Sequence, residues 1–177
     1  MTAQRYFDDP DEGLARATSH PAFVRACPED LFYDCADDFG PFGNDCGSDA
    51  LHSLQEWYRA GARGTARGFI DRTIRAWGIT LPDLLATDRD TVIGWLDDPD
   101  LEMFAREVGN LVVAVAFGQL KITGAIDPDI VALAQAAMTR EAHLNDDAKQ
   151  RYPAWEYAEN AREWLALKRA ALERAGR

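Results

Sequence analysis

The chain is short of cysteine, of long apolar runs and of positive charge, and each shortage narrows what it can be. Its 177 residues include only 3 Cys and 3 His. Cys27, Cys35 and Cys46 are spaced eight and eleven residues apart. An odd number at that spacing fits neither a disulfide framework nor the CxxC pairs of a structural zinc site, so free thiols in a reducing compartment are expected. The longest apolar stretch, Leu111 to Phe117, falls far below the roughly 20 residues that cross a bilayer. The opening residues MTAQRYFDDP lack the apolar run of a secretory signal. The expectation is a cytoplasmic protein with no membrane partner. No run alternates apolar and polar residues with period two, which argues against a sheet. GxSxG, Walker A and HExxH motifs are all missing, and no cofactor is implied.

Bases are outnumbered, 19 Lys and Arg against 30 Asp and Glu, for a net charge of -11 and a pI near 4.6. The imbalance is concentrated. Residues 1–50 hold 11 acids against Arg5, Arg16 and Arg25, a net of -8, which leaves -3 for the other 127 residues. Such a segment repels phosphates and disfavours direct nucleic-acid binding. It favours a basic protein partner or a cation, although a solvated acidic face that only aids solubility has the same composition.

The composition is globular: 47% of residues are apolar and 28% charged. A chain of this length buries roughly 70% of its unfolded surface and needs no metal or disulfide to stay folded. We expect one domain over 1–177, an all-α compact multi-helix bundle of about seven helices, with an irregular acidic segment at 1–48 packed on it.

The helical reading rests on local signals. Ser48 or Asp49 can cap a helix carrying Leu51, Leu54, Trp57 and Tyr58, with Gly61 at its end. Thr65 opens a second, with Phe69, Ile70, Ile74 and Trp77 inward and Gly78 as its stop. A turn at Leu81-Pro82 leads to Asp88 and a short helix through Val92, Trp95 and Leu96. Asp98-Pro99 begins the longest helix, whose stripe from Leu101 to Leu120 is wide enough to be buried on most sides, up to Gly124. Asp127-Pro128 opens another, with Ile130, Leu133, Ala134, Ala137 and Met138 inward. Pro153 starts the last, whose stripe Tyr157, Ala161, Trp164, Leu165 and Leu172 is broken by Lys168, so its far end is expected to fray. Asp9-Pro10 can open a short helix through Leu14 and Ala17. The five Trp are read as core residues.

One segment could carry chemistry, the loop DDFGPFGNDCGSD at 37–49. Its glycines and Pro41 force a tight turn that plugs Phe42 into the helices, and its carboxylates could converge. As a partner-binding loop it offers Asp34, Asp37, Asp38, Phe42, Asp45 and Asp49. As a cation site it offers Asp38, Asp45, Asp49 and His52, but without the ligand spacing of an EF-hand. Turn formation and helix capping account for the same residues with no ligand at all. The strings HPAF, CPEDLFYD, DDFGPFGNDCGSDAL and LQEWYR resemble the YfeS-like group of small bacterial proteins of unassigned role, mainly over residues 20–59. The resemblance implies a bacterial protein and no particular activity.

Three functions follow as expectations. The first is an acidic protein of the immunity or inhibitor type that masks a basic partner. The second is a metal-dependent hydrolase using Asp37, Asp38 and Asp45 with His20 or His52. The third is a structural or oligomeric scaffold subunit.

Overall fold

The computed structural model describes residues 4–80 and 83–176. Seven α-helices occur among them: α1 Pro21–Ala26, α2 Asp45–Arg59, α3 Ala66–Ala76, α4 Arg89–Gly94, α5 Pro99–Thr123, α6 Pro128–Arg151 and α7 Ala158–Ala175. Short 3-10 turns cover Asp30–Tyr33 and Trp95–Asp97. Among the described residues no strand forms, and one isolated bridge pairs Asp9 with Gly13. The all-α reading holds.

The long apolar helix is the centre, as its wide stripe implied. From Leu111 to Phe117 no side chain of α5 is more than 4% exposed. Helices α1, α2, α3 and α6 pack on it, and α6 in turn carries α4 and α7. Each buried Val, Leu or Phe along this seam contributes about 1.5–3 kcal/mol, which outweighs the modest helix propensity of its β-branched residues. Helix α2 crosses close by, because a Cβ at Gly118 would come within 2.8 Å of Leu54 Cδ2. The local stops behave as read. Thr65 and Asp88 cap α3 and α4 through their side chains, and Gly124 leaves α5 with φ +82.

Several expectations need correction. No helix forms at 9–17: Asp9 Oδ1 accepts hydrogen bonds from the backbone N–H groups of Asp11 (2.9 Å) and Glu12 (2.7 Å) and closes a turn instead. The seventh helix is α1, opened by the His20 side chain, whose Nδ1 accepts from Ala22 N at 3.0 Å. Helix α2 is capped by Asn44 rather than by Ser48 or Asp49 and begins at Asp45, because Asn44 Oδ1 accepts from Gly47 N at 2.8 Å. Helix α7 begins at Ala158, not Pro153. Residues 152–157 wrap the end of α6, where Lys149 Nζ donates to the carbonyls of Pro153 (2.6 Å) and Trp155 (3.2 Å).

Nor does α7 fray after Lys168. Lys168 is buried, its Nζ donating 2.9 Å to both oxygens of Glu141, and Ala171 and Leu172 beyond it are buried too. Of the tryptophans, only Trp95 is buried, whereas Trp77 is 37% exposed and Trp155 lies outside any helix. The expected turn at Leu81-Pro82 lies outside the described residues.

The N-terminal segment is tied down by its own charges. Asp8 meets the buried Lys121 Nζ at 2.6 Å, Glu29 holds Arg174 at 3.0 Å and Asp30 holds Arg16 at 2.8 Å. Arg174 also donates 2.6 Å to the carbonyl of Ala26, clamping α7 to the end of α1. Two of the eleven acids of residues 1–50, Asp8 and Glu29, therefore hold the segment to the bundle, and Asp30 braces it internally through Arg16.

Candidate functional site

The loop at 37–44 turns as its composition requires, but its carboxylates do not converge. Gly43 packs so tightly on the backbone of Asp37 that any Cβ there would collide with the Asp37 carbonyl. Asp37 Oδ1 accepts from Phe39 N (3.0 Å) and Asp34 Oδ1 from Ala36 N (2.7 Å), both local turn bonds. Asn44 Nδ2 reaches back to the carbonyls of Asp38 (3.3 Å) and Gly40 (3.2 Å). Phe42 is buried against Phe23, ring centres 6.3 Å apart, and offers a partner no surface.

The expected cation set is split. Asp45, Asp49 and His52 lie along one stripe of α2 and line one cleft, whereas Asp38 lines a different cavity beside α5 and α6. Among the described residues, no group of three or more His, Cys, Asp and Glu is disposed to hold a metal ion. His20, a candidate base of the hydrolase reading, caps α1 and packs edge-on against Tyr6, 5.1 Å between ring centres. Burial, helped by Arg25, lowers its pKa. It does not line the cleft that holds Asp45.

That cleft, between α2, α3 and α5, has a volume of about 610 Å³, within the range of small-ligand sites. Three carboxylates line it, Asp45 and Asp49 from α2 and Glu107 from α5. Its apolar wall is aromatic, with Phe69 on α3, Trp77 at the C-terminal cap of α3 and Phe104 on α5. No lysine or arginine is among its described lining residues.

Cys46 lies in the same cleft and donates its thiol hydrogen bond to the carbonyl of Glu107 at 3.2 Å. Burial, followed by the negative charge of Glu107 and Asp49, pushes this thiol up to about 12. Cys27 and Cys35 are raised as well, each chiefly by burial. None of the three is poised as a thiolate nucleophile at neutral pH.

The sequence pointed to Asp45, Asp49 and His52 but missed Glu107, Phe69, Trp77 and Phe104. Glu107 comes from α5, 61 residues beyond Cys46, a separation that no local pattern encodes. The one available signal was the stripe Phe69, Thr73 and Trp77 along α3 and its C-terminal cap, which reads equally well as core.

Fold and cleft together define an all-α protein with an acid-lined, aromatic-walled groove on its central helix. The chain is similar to the uncharacterized protein YfeS of Escherichia coli (strain K12), with 32% identity over 139 residues, covering 76% of this chain and 55% of that protein. The chain thus spans about half the length of the curated relative it matches. This bears out the YfeS-like resemblance read from residues 20–59. No family model matches the chain, and no solved structure matches it significantly. Among the described residues, no helix is long and apolar enough to cross a membrane.

Proposed function

We propose that this protein binds a basic protein partner and masks part of its surface, with the cleft between α2, α3 and α5 receiving a basic side chain. One observation carries the reading: three carboxylates share a groove with three aromatic side chains and no described cation. An ammonium or guanidinium group entering there meets opposite charge at short range in a partly desolvated setting, where attraction exceeds that in bulk water. Its methylene stem packs on Phe69, Trp77 and Phe104, and the ring faces add about 0.5–2 kcal/mol of cation–π attraction. The exposed Asp34 and Asp38 lie outside the cleft and contribute long-range steering rather than contact.

The test is a titration with a short lysine- and arginine-rich peptide, followed by tryptophan fluorescence, with an acidic peptide of equal length as control. Trp77, on the cleft wall, should respond to the basic peptide alone. Asp45→Asn with Asp49→Asn, and separately Glu107→Gln, should each weaken binding by about tenfold, or about 1.4 kcal/mol. Equal binding of both peptides, or variants that bind like the wild type, would remove the cleft from the account.

A further inference from the structure

Among the described residues, apolar burial falls into two clusters. The large one runs along α5 and takes in Leu84. The small one joins Val92 of α4 and Trp95 of the following turn to Ala105 of α5 and Leu144 of α6. Between Leu85 and Asp97 only Val92 and Trp95 are buried, and Leu85 is 52% exposed. Helix α4 packs on α6 and on the turn Trp95–Asp97, and that turn packs on α5. At six residues α4 is far below the roughly 12–15 that hold a helix in water unaided, so it depends on this seating.

One arginine ties the segment down. Arg140 of α6 is only 2% exposed, and its Nη1 donates to the carbonyls of Leu84 and Ala86. Its guanidinium carbon stands 6.0 Å from the centre of the Trp95 ring, at the edge of cation–π range. Nearly one turn along α6, His143 Nε2 reaches the carbonyl of Thr87 at 3.1 Å. Helix α6 thus holds the start of the segment by carbonyls and its end by an aromatic ring. Bonds from a charged donor are about twice as strong as neutral ones, which lets few contacts act as a latch. The fit is incomplete, since Arg140 Nη2 is buried with no hydrogen-bond partner among the described residues. Burial draws the guanidinium down to about 10, opposed by the charge of Asp83, so it remains charged at pH 7. Closure therefore keeps a buried cation with one donor unpaired, a cost that opening to water removes.

We propose that residues 85–97 form a flap, latched to α6 by Arg140 and His143, that opens as one unit while the rest of the bundle stays folded. Its two ends are fixed, one by Leu84 in the main core and the other by α5. Two buried side chains and a half-satisfied latch hold it, whereas the run Leu111 to Phe117 of α5 is buried throughout. Local opening follows such differences in buried contact. Opening bares Ala105 and Leu144, which also line the cavity beside α5 and α6. No residue of the flap lines the acidic cleft, so the flap is independent of the basic-partner reading.

The experiment is native-state hydrogen exchange of the full chain, followed by NMR at low urea concentrations. The amides of Val92 and Asp98, which donate to the carbonyls of Asp88 and Trp95, report on the flap. Those of Leu111 to Phe117 report on the bundle. Flap amides should exchange at least about a hundredfold faster than bundle amides, at a rate that low urea barely changes, because opening bares little surface. Arg140→Ala leaves the Leu84 and Ala86 carbonyls without their donor. It should quicken exchange in the flap by about a further tenfold and leave the bundle amides unchanged. Because that variant also leaves a void beside α6, Val92→Ala repeats the test from the flap side and should show the same selectivity. Flap and bundle amides that exchange at one rate with one urea dependence would overturn the proposal. So would variants that quicken both groups alike, or an Arg140→Ala flap that exchanges no faster than the wild type.

Discussion

Lys121 shows how single residues of this chain are fixed by what surrounds them. It sits near the C-terminus of α5 with none of its side chain exposed, yet donates 3.0 Å to the carbonyl of Thr18 and meets Asp8 at 2.6 Å. Burial lowers its pKa, and the hydrogen bond and charge of Asp8 oppose that shift. Asp8 also accepts from Gln55 Nε2 at 2.9 Å, which ties residue 8 to α2 as well as α5. Replacing Asp8 by Asn removes the compensating charge and leaves an ammonium buried with a neutral partner. We expect a loss of about 3–5 kcal/mol in urea unfolding. A loss under about 1 kcal/mol would mean that the pair behaves like an exposed surface ion pair. This residue was not legible in the sequence. A lysine in an apolar helix reads as an end marker, and its partner lies more than a hundred positions away.

At the scale of elements, the sequence announced helix ends wherever one residue had one job. Thr65, Asp88, Pro99 and Gly124 each stand alone beside an apolar stripe, and each ends or opens a helix as read. The start of α2 was misplaced because Asn44, Asp45, Ser48 and Asp49 are all competent caps, and propensity does not rank them. Packing does: Gly43 and Gly47 bring the turn hard against the backbone of Asp37 and Pro41, and that close approach puts Asn44 at the entry. The two readings separate on a pair of substitutions. Asn44→Ala should cost about 1 kcal/mol by losing the bond to Gly47 N. Asp49→Ala, exposed in the second turn of α2, should change stability by less than about 0.5 kcal/mol. Equal losses in chemical denaturation would restore the later cap. The misreading of α7 has a similar origin, since Lys168 is a break in its stripe only until Glu141 of α6 is placed opposite it.

For the whole molecule, the central fact is where the charge goes. Eleven acids in the first 50 residues looked like one acidic face. The fold divides them: Asp8 and Glu29 hold the segment to the helices, Asp30 pairs with Arg16 within the segment, and Asp34, Asp38, Asp45 and Asp49 are among those that stay exposed. Two of the exposed acids, Asp45 and Asp49, line the cleft with Glu107, and only a tertiary fold could bring that third carboxylate to them. Overall fold class was readable because the periodic stripes are long. The cleft was half readable, since one wall is a helix beside the suspect loop and the others come from α3 and α5. The decisive measurement on the cleft is the association rate of a basic peptide followed by stopped-flow tryptophan fluorescence between low and high salt. An acidic cleft that receives a basic partner gives a rate that falls by about tenfold or more as the Debye length shrinks from about 30 Å at 0.01 M to about 8 Å at 0.15 M. Dissociation should change far less, and Asp45→Asn with Asp49→Asn should flatten the salt dependence. An association rate indifferent to salt, or a double variant with the wild-type slope, would contradict the claim that the acidic cleft receives a basic partner.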